Sequence, residues 1–325
     1  MWPTIAEVQT PNGPLGIHPY GLFIVLAFSA AFIAIHLRAP KVGIHPDRLI
    51  AGYVSAFVGG MLGGRILYAI AVDWERTLSD PSSLLSFSGF AVYGGLIGGA
   101  LGVGAFVAAS RLPVWKVADL ALPGVVLAMG IGRLGCFCAG CCHGSVAAIG
   151  EHPIGLLPDW VTTGQLWWSG TFPFLANEVH DGVGRLHDLP LYPTQIWDFV
   201  GNVSLAIALL WQWPRRRFDG QTAALALILQ PPLRIFVESF RADERGYVWT
   251  WEVSEAFANS LPPGLAEAGD ELGTHIVGIT TSQGIGLAMI VLGIVIYAVR
   301  RNTVRDIAAL PTVSAEDGDL LEELT

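Results

Sequence analysis

The chain has 325 residues, of which 52% are hydrophobic and only 14% charged, with mean hydropathy +0.53. A soluble domain is about 25% charged, so these values favour a polytopic membrane protein over a large soluble core. The formal net charge of −9 comes without a basic, aromatic-interleaved patch, which argues against nucleic-acid binding.

Seven apolar runs follow in order, each near the ~20 residues that a membrane helix needs. The N-terminal stretch 1–16 is polar and acidic and does not resemble a cleavable signal peptide, so the first run is expected to remain as a span. The runs are Tyr20 to Leu37, Leu49 to Val72, Gly89 to Ala109, Val117 to about Phe137, Tyr192 to Trp213, Gln221 to Phe240 and Gly284 to Val299. Links after the first, third, fifth and seventh runs are basic, whereas those after the second, fourth and sixth are acidic. The positive-inside rule then puts the C-terminus in the cytoplasm and the N-terminus outside. The expected fold is all-α, with seven spans over residues 1–305 and a small extracytoplasmic cap from loops at about 139–191 and 241–280. Residues 306–325 form an acidic segment without aromatics, expected to be a disordered cytoplasmic tail. No inverted repeat and no regular arginine series points to a transporter or voltage sensor.

Ionisable residues in or near the runs are Arg65, Asp119, Arg133, Arg234, Glu238 and Arg241. Each costs roughly 2.5–3.5 kcal/mol on insertion scales, which marks them as candidate functional residues. Arg234 and Glu238 are four apart, so pairing on one helix face is the plain reading. Asp119 is expected near the cytoplasmic start of its run, as an interfacial residue. Arg133 has no carboxylate nearby on its own helix and sits among glycines. A guanidinium there suits bidentate contact with phosphate, and in a membrane the commonest phosphate is a lipid head group. Glycines at 59, 60, 63, 64, 94, 95, 98 and 99 are expected to let helices pack closely and form cavity walls.

All four cysteines fall within seven positions, as Cys136, Cys138, Cys141 and Cys142, followed by His143. Three readings stay open: small apolar wall residues, a disulfide in an oxidising compartment, or a metal site. A catalytic thiol that itself accepts the lipid is a more remote fourth. No metal and no cofactor are assigned.

In this order the motifs resemble the prolipoprotein diacylglyceryl transferase family. The resemblance rests on His18-Pro19-Tyr20-Gly21-Leu22, Gly63-Gly64-Arg65-Ile66 and Gly89 to Gly98. It continues through Asp119, Gly132-Arg133-Leu134-Gly135 with Phe137, Gly140 and Gly144, Tyr192-Pro193-Thr194-Gln195, Arg234 to Arg241, and Gln283-Gly284. It implies transfer of a diacylglyceryl group from phosphatidylglycerol to the lipobox cysteine of a prolipoprotein in the bacterial inner membrane, with glycerol phosphate released. By resemblance, Arg133 and Arg234 hold the lipid phosphate, and Glu238 orients an arginine. Arg65, Tyr20, Gly94, Gly95, Asp119 and Gly144 belong to the substrate cavity. The family commonly has histidine at Tyr93 and Tyr192, asparagine at Cys136, glutamate at Cys141 and tyrosine at Gln230. Tyr93 remains a candidate catalytic donor, and His143, which titrates in the right range, a candidate base. The alternatives are a divergent homologue with another lipid group or acceptor, and a lipid-binding or transport protein without catalysis.

Overall fold

The computed structural model describes residues 6–10, 13–71, 74–80, 91–139, 141–142, 144, 192–241, 247–258, 260–262, 265–268 and 274–308. The chain divides into two compact units, residues 3–135 and 136–325, the latter joined by residues 1–2. The described part is mostly helical, and each of the seven predicted runs coincides with a helix.

In the first unit, strands β1 (Ala6–Thr10) and β2 (Gly13–Ile17) form an antiparallel hairpin. Helices α1 (Pro19–His36), α2 (Pro46–Ala71), α3 (Trp74–Ser79) and α4 (Val92–Ala109) follow. Helix α5 (Val114–Ala139) crosses the boundary between the units. Helices α2 and α4 meet backbone to backbone. A Cβ on Gly98 would stand 2.8 Å from the Gly63 Cα, and one on Gly63 would stand 2.7 Å from the Gly98 Cα. No side chain fits there, so the expected small-residue packing is realised in this pair.

Arg38, just past α1, is buried and bonds two carbonyls, donating through Nε to Ala34 O at 2.6 Å and through a terminal nitrogen to Leu120 O at 2.8 Å. Burial lowers its guanidinium to about 10, so it remains cationic at neutral pH. It closes the end of α1, where carbonyls lack helical donors, and ties that end to α5 beside Pro123.

In the second unit, α6 (Thr194–Gln212), α7 (Gln221–Glu238) and α9 (Thr281–Ala308) are the long helices, and α8 (Glu255–Ala258) is a short turn. Between α7 and α9 lies an antiparallel sheet of β3 (Tyr247–Ser254), β4 (Ala266–Ala268) and β5 (Thr274–Thr280), ordered β3-β5-β4. The expectation of an all-helical fold thus needs correcting. Part of the second predicted loop pairs as a sheet because β-branched and aromatic residues concentrate at 247–254 and 274–280.

Among the described residues, four helices are long and apolar enough to cross a membrane: Pro19–His36, Arg48–Ile70, Val114–Ala139 and Thr281–Asn302. Their large side chains stay uncovered, as at Phe28, which is 65% exposed, and at Val291 and Val295. Such apolar faces are a liability in water and suit lipid. The other three predicted runs are helical too. Helices α6 and α7 carry buried polar residues, and the apolar part of α4 is the shorter Ile97–Ala109. The first long loop at 145–191 and the tail from 309 lie outside the described residues, and α9 continues through 306–308.

Candidate functional site: a buried arginine and a thiol turn

The second unit holds a polar chain between α6, α7 and α9. Arg234 on α7 lies 3.6 Å from Asp198 on α6 and 3.5 Å from Glu238, one turn on along α7. Pairing of Arg234 with Glu238 therefore occurs, as the spacing predicts, while Asp198 is an addition. Glu238 is 0% exposed and accepts a hydrogen bond from the Thr280 hydroxyl at 2.5 Å. Asn202 donates to the Asp198 carboxylate at 2.6 Å. Both carboxylates are buried, whereas the Arg234 side chain is 22% exposed. The ion-pair distances are longer than the 2.7–2.9 Å of tight charge-assisted bonds. The carboxylates thus flank the guanidinium without closing a tight fork.

Local sequence explains the placement. Thr194, Asp198 and Asn202 recur every fourth residue, so they share one face of α6. Pro231 and Pro232 remove two helical N–H donors within the turn before Arg234. At the start of α9, Thr280 and Gln283 form a reciprocal capping box. The Gln283 N–H donates to Thr280 Oγ1 at 3.2 Å, and the Thr280 N–H donates to Gln283 Oε1 at 3.3 Å. The cap fixes the hydroxyl that meets Glu238.

Beyond α5, the turn carrying Cys141 and Cys142 is tied to the start of α6. Thr194 Oγ1 donates to Cys142 O at 2.9 Å, and Gln195 Nε2 donates to Cys141 O at 2.9 Å. The Gly144 N–H donates to Tyr192 O at 3.0 Å, and Gly144 pairs with Arg241 in an isolated bridge. A Cβ on Gly144 would come 2.9 Å from Phe240 O, so the chain there needs glycine. Tyr192 is buried. Its ring packs on Phe240 with centroids 5.2 Å apart. None of the four cysteines is in a disulfide. Hydrogen bonds with Cys136 and Cys142, then burial, push the Cys141 thiol well up.

In the first unit, Arg133 is half-buried on α5. The Tyr20 ring lies against Gly135, two residues beyond it, at 3.3 Å from the place of a Gly135 Cβ. Arg65 is buried on α2 with its guanidinium 5.4 Å from the Tyr68 ring centroid. Gly94 packs against Gly63, and a Cβ on Gly95's partner Gly60 would stand 3.3 Å from Gly95 O. Asp119, in the second turn of α5, is 0% exposed. Tyr93 lies in the first turn of α4, and its side chain is outside the described residues, as is His143. Sequence reasoning missed Asp198, Asn202 and Thr280. An aspartate inside an apolar run, four residues after Thr194, was the available signal for the first.

The sequence model of the family "prolipoprotein diacylglyceryl transferase" matches residues 8–299. The chain belongs to the prolipoprotein diacylglyceryl transferase family. A relative from Clostridium perfringens, named phosphatidylglycerol--prolipoprotein diacylglyceryl transferase 2, is 32% identical over 243 residues, covering 74% of this chain and 85% of its own. A Clostridium tetani relative with the same transferase name is 31% identical over 288 residues, covering 88% and 94%. One from Pseudoalteromonas atlantica is 28% identical over 306 residues, covering 93% and 92%. Membership in this transferase family agrees with the motif resemblance and accounts for the apolar helices.

Proposed function

We propose that the protein transfers the diacylglyceryl group of phosphatidylglycerol to the cysteine thiol of a prolipoprotein lipobox, releasing glycerol phosphate, in the bacterial inner membrane. The observation that carries this reading is the family match over nearly the whole chain. The geometry of Arg234 supports it. A guanidinium backed by two buried carboxylates, with part of its side chain exposed, is preorganised to meet an anion.

In the reaction the acceptor sulfur attacks the glyceryl carbon, the carbon–oxygen bond to phosphate breaks, and negative charge leaves on glycerol phosphate. By the family resemblance, Arg133 and Arg234 are each candidates to hold that phosphate. Asp198 and Glu238 are positioning residues for Arg234. Arg65, Tyr20, Gly94, Gly95, Asp119 and Gly144 belong to the substrate cavity, and Tyr93 and His143 are the candidate proton-handling groups. Seven spans carry the site, with a small extracytoplasmic cap, the N-terminus outside and the C-terminus in the cytoplasm.

The test is a transfer assay with purified protein, phosphatidylglycerol and a lipobox peptide, scored by mass spectrometry for the thioether. The expected product is a peptide heavier by one diacylglyceryl group, lost in Arg133→Ala. Lipid movement between leaflets without thioether product would instead identify a transporter.

A further inference from the structure

The arginine site leaves the thiol turn without a role. The Sγ atoms of Cys136, Cys141 and Cys142 lie within 4.8 Å of one another. They converge from the last turn of α5 and from the turn beyond it. That turn is held in shape at several points. The Cys141 N–H donates to Cys136 O at 3.1 Å, and the Thr194 and Gln195 side chains hold the Cys142 and Cys141 carbonyls. Cys142 has φ 61°, a left-handed conformation uncommon outside glycine. Keeping a cysteine there presents its thiol to the same point as the other two. Cys138 is not part of the group.

Three thiols on one point are a soft ligand set. Zinc–sulfur bonds are about 2.3 Å, which sets the sulfurs of a tetrahedral site about 3.8 Å apart. The observed cluster needs to close by at most about 1 Å to reach that spacing. Three protein ligands leave a fourth position open, the arrangement that distinguishes catalytic from structural zinc.

We propose that Cys136, Cys141 and Cys142 form a three-thiolate zinc(II) site whose open position takes the thiol of the acceptor. This departs from the sequence-based expectation of no metal, and it rests on the transferase reading for the acceptor's identity. A thiol has a pKa near 8.5 in water, and coordination deprotonates it outright. The acceptor S–H loses its proton to solvent on binding. Its sulfur pair then forms the bond to the glyceryl carbon, while the carbon–oxygen bond breaks and its electron pair leaves with the phosphate. The thioether product is neutral and a weaker ligand, so it departs. No oxidant or reductant is required. The thiol turn and the arginine are linked through α6. Thr194 and Gln195 hold the thiol turn, and Asp198, 3.6 Å from Arg234, is on the next turn of the same helix, a rise of about 5.4 Å.

The test uses the full-length reduced protein in detergent, loaded with zinc(II) or with cobalt(II) as a spectroscopic substitute. The expected result is about one metal retained per chain after desalting, with an intense thiolate-to-cobalt absorption. Cys136→Ser, Cys141→Ser and Cys142→Ser each weaken binding at least ~10-fold, the effect expected of altering a metal site, while Cys138→Ser does not. A peptide with a single lipobox cysteine shifts the visible cobalt bands, and its serine analogue leaves them unchanged. The wild-type metal content and peptide titration stand even where a variant fails to fold. Retention of less than about a tenth of an equivalent, a charge-transfer band that survives in the folded triple variant, or a spectrum indifferent to the peptide thiol would each overturn the proposal. Transfer by metal-free, chelator-treated protein would refute the zinc site and leave the transferase reading intact. Metal and thiol binding without any transfer would do the reverse.

Discussion

At Arg234 the charge balance decides what each substitution should do. One guanidinium faces two buried carboxylates, so removing it strands both. Breaking a buried pair by deleting one partner costs about 3–5 kcal/mol, much more than an exposed pair contributes. Arg234→Ala should therefore lower the midpoint of thermal unfolding in detergent as well as abolish transfer. Arg234→Lys keeps the charge and loses the planar fork. It should unfold close to wild type yet transfer about 10²–10³-fold more slowly, the usual cost of losing an oriented donor in a transition state. Equal transfer rates for the lysine variant and wild type would show that the residue only balances buried charge. The pairing of 234 with 238 was legible from spacing alone. The third member, Asp198, was not, because nothing in a single sequence says which face of α6 meets α7. That depends on Gly201, where a Cβ would stand 2.5 Å from Leu233 Cδ1 and keep the helices apart.

Elements here are positioned by caps and by missing side chains. Thr280 both caps α9 and bonds Glu238. Thr280→Val keeps the shape and removes both bonds. Losing such a cap costs about 0.5–2 kcal/mol, and the expected signature is a modest drop in unfolding midpoint with a larger proportional loss of transfer. Thr280→Ser should restore both. The α2–α4 pair makes the opposite kind of prediction. Gly63→Ala and Gly98→Ala push a methyl into the facing backbone and should sharply reduce the yield of monodisperse protein on size exclusion. Gly104→Ala, with nothing within 4 Å of its Cβ, should behave as wild type. The glycine pattern made this contact readable beforehand, since small residues at i and i+4 in two apolar runs have few other uses. The β3–β5 sheet was not readable in the same way. Its strands are separated by a long acidic stretch, and their pairing is non-local.

For the whole molecule, the second unit offers an internal argument for orientation. One end carries Arg215, Arg216 and Arg217 after α6 and Arg300 near the end of α9, where Arg300 Nε donates to Asp219 O at 3.2 Å. The links after the fifth and seventh runs therefore sit at the same end, as their shared basic character requires. The other end carries the Glu238–Thr280 bond and the sheet with Glu252 and Glu267. Between Thr280 and Arg300 the helix rises about 30 Å, which equals the thickness of a bilayer core. Basic residues mark cytoplasmic ends, so the prediction is that the basic end faces the cytoplasm and the sheet faces outside. Alkaline phosphatase, active only when exported, reports this directly. Fused after residue 262 it should be active, and fused after residue 302 inactive, with a cytoplasmically fluorescent reporter giving the inverse pattern. Activity at both sites would mean that α9 does not cross. The reverse pattern would put the Arg234 network at the cytoplasmic end, away from a secreted acceptor's thiol, and would remove the basis for a transfer reaction at this site.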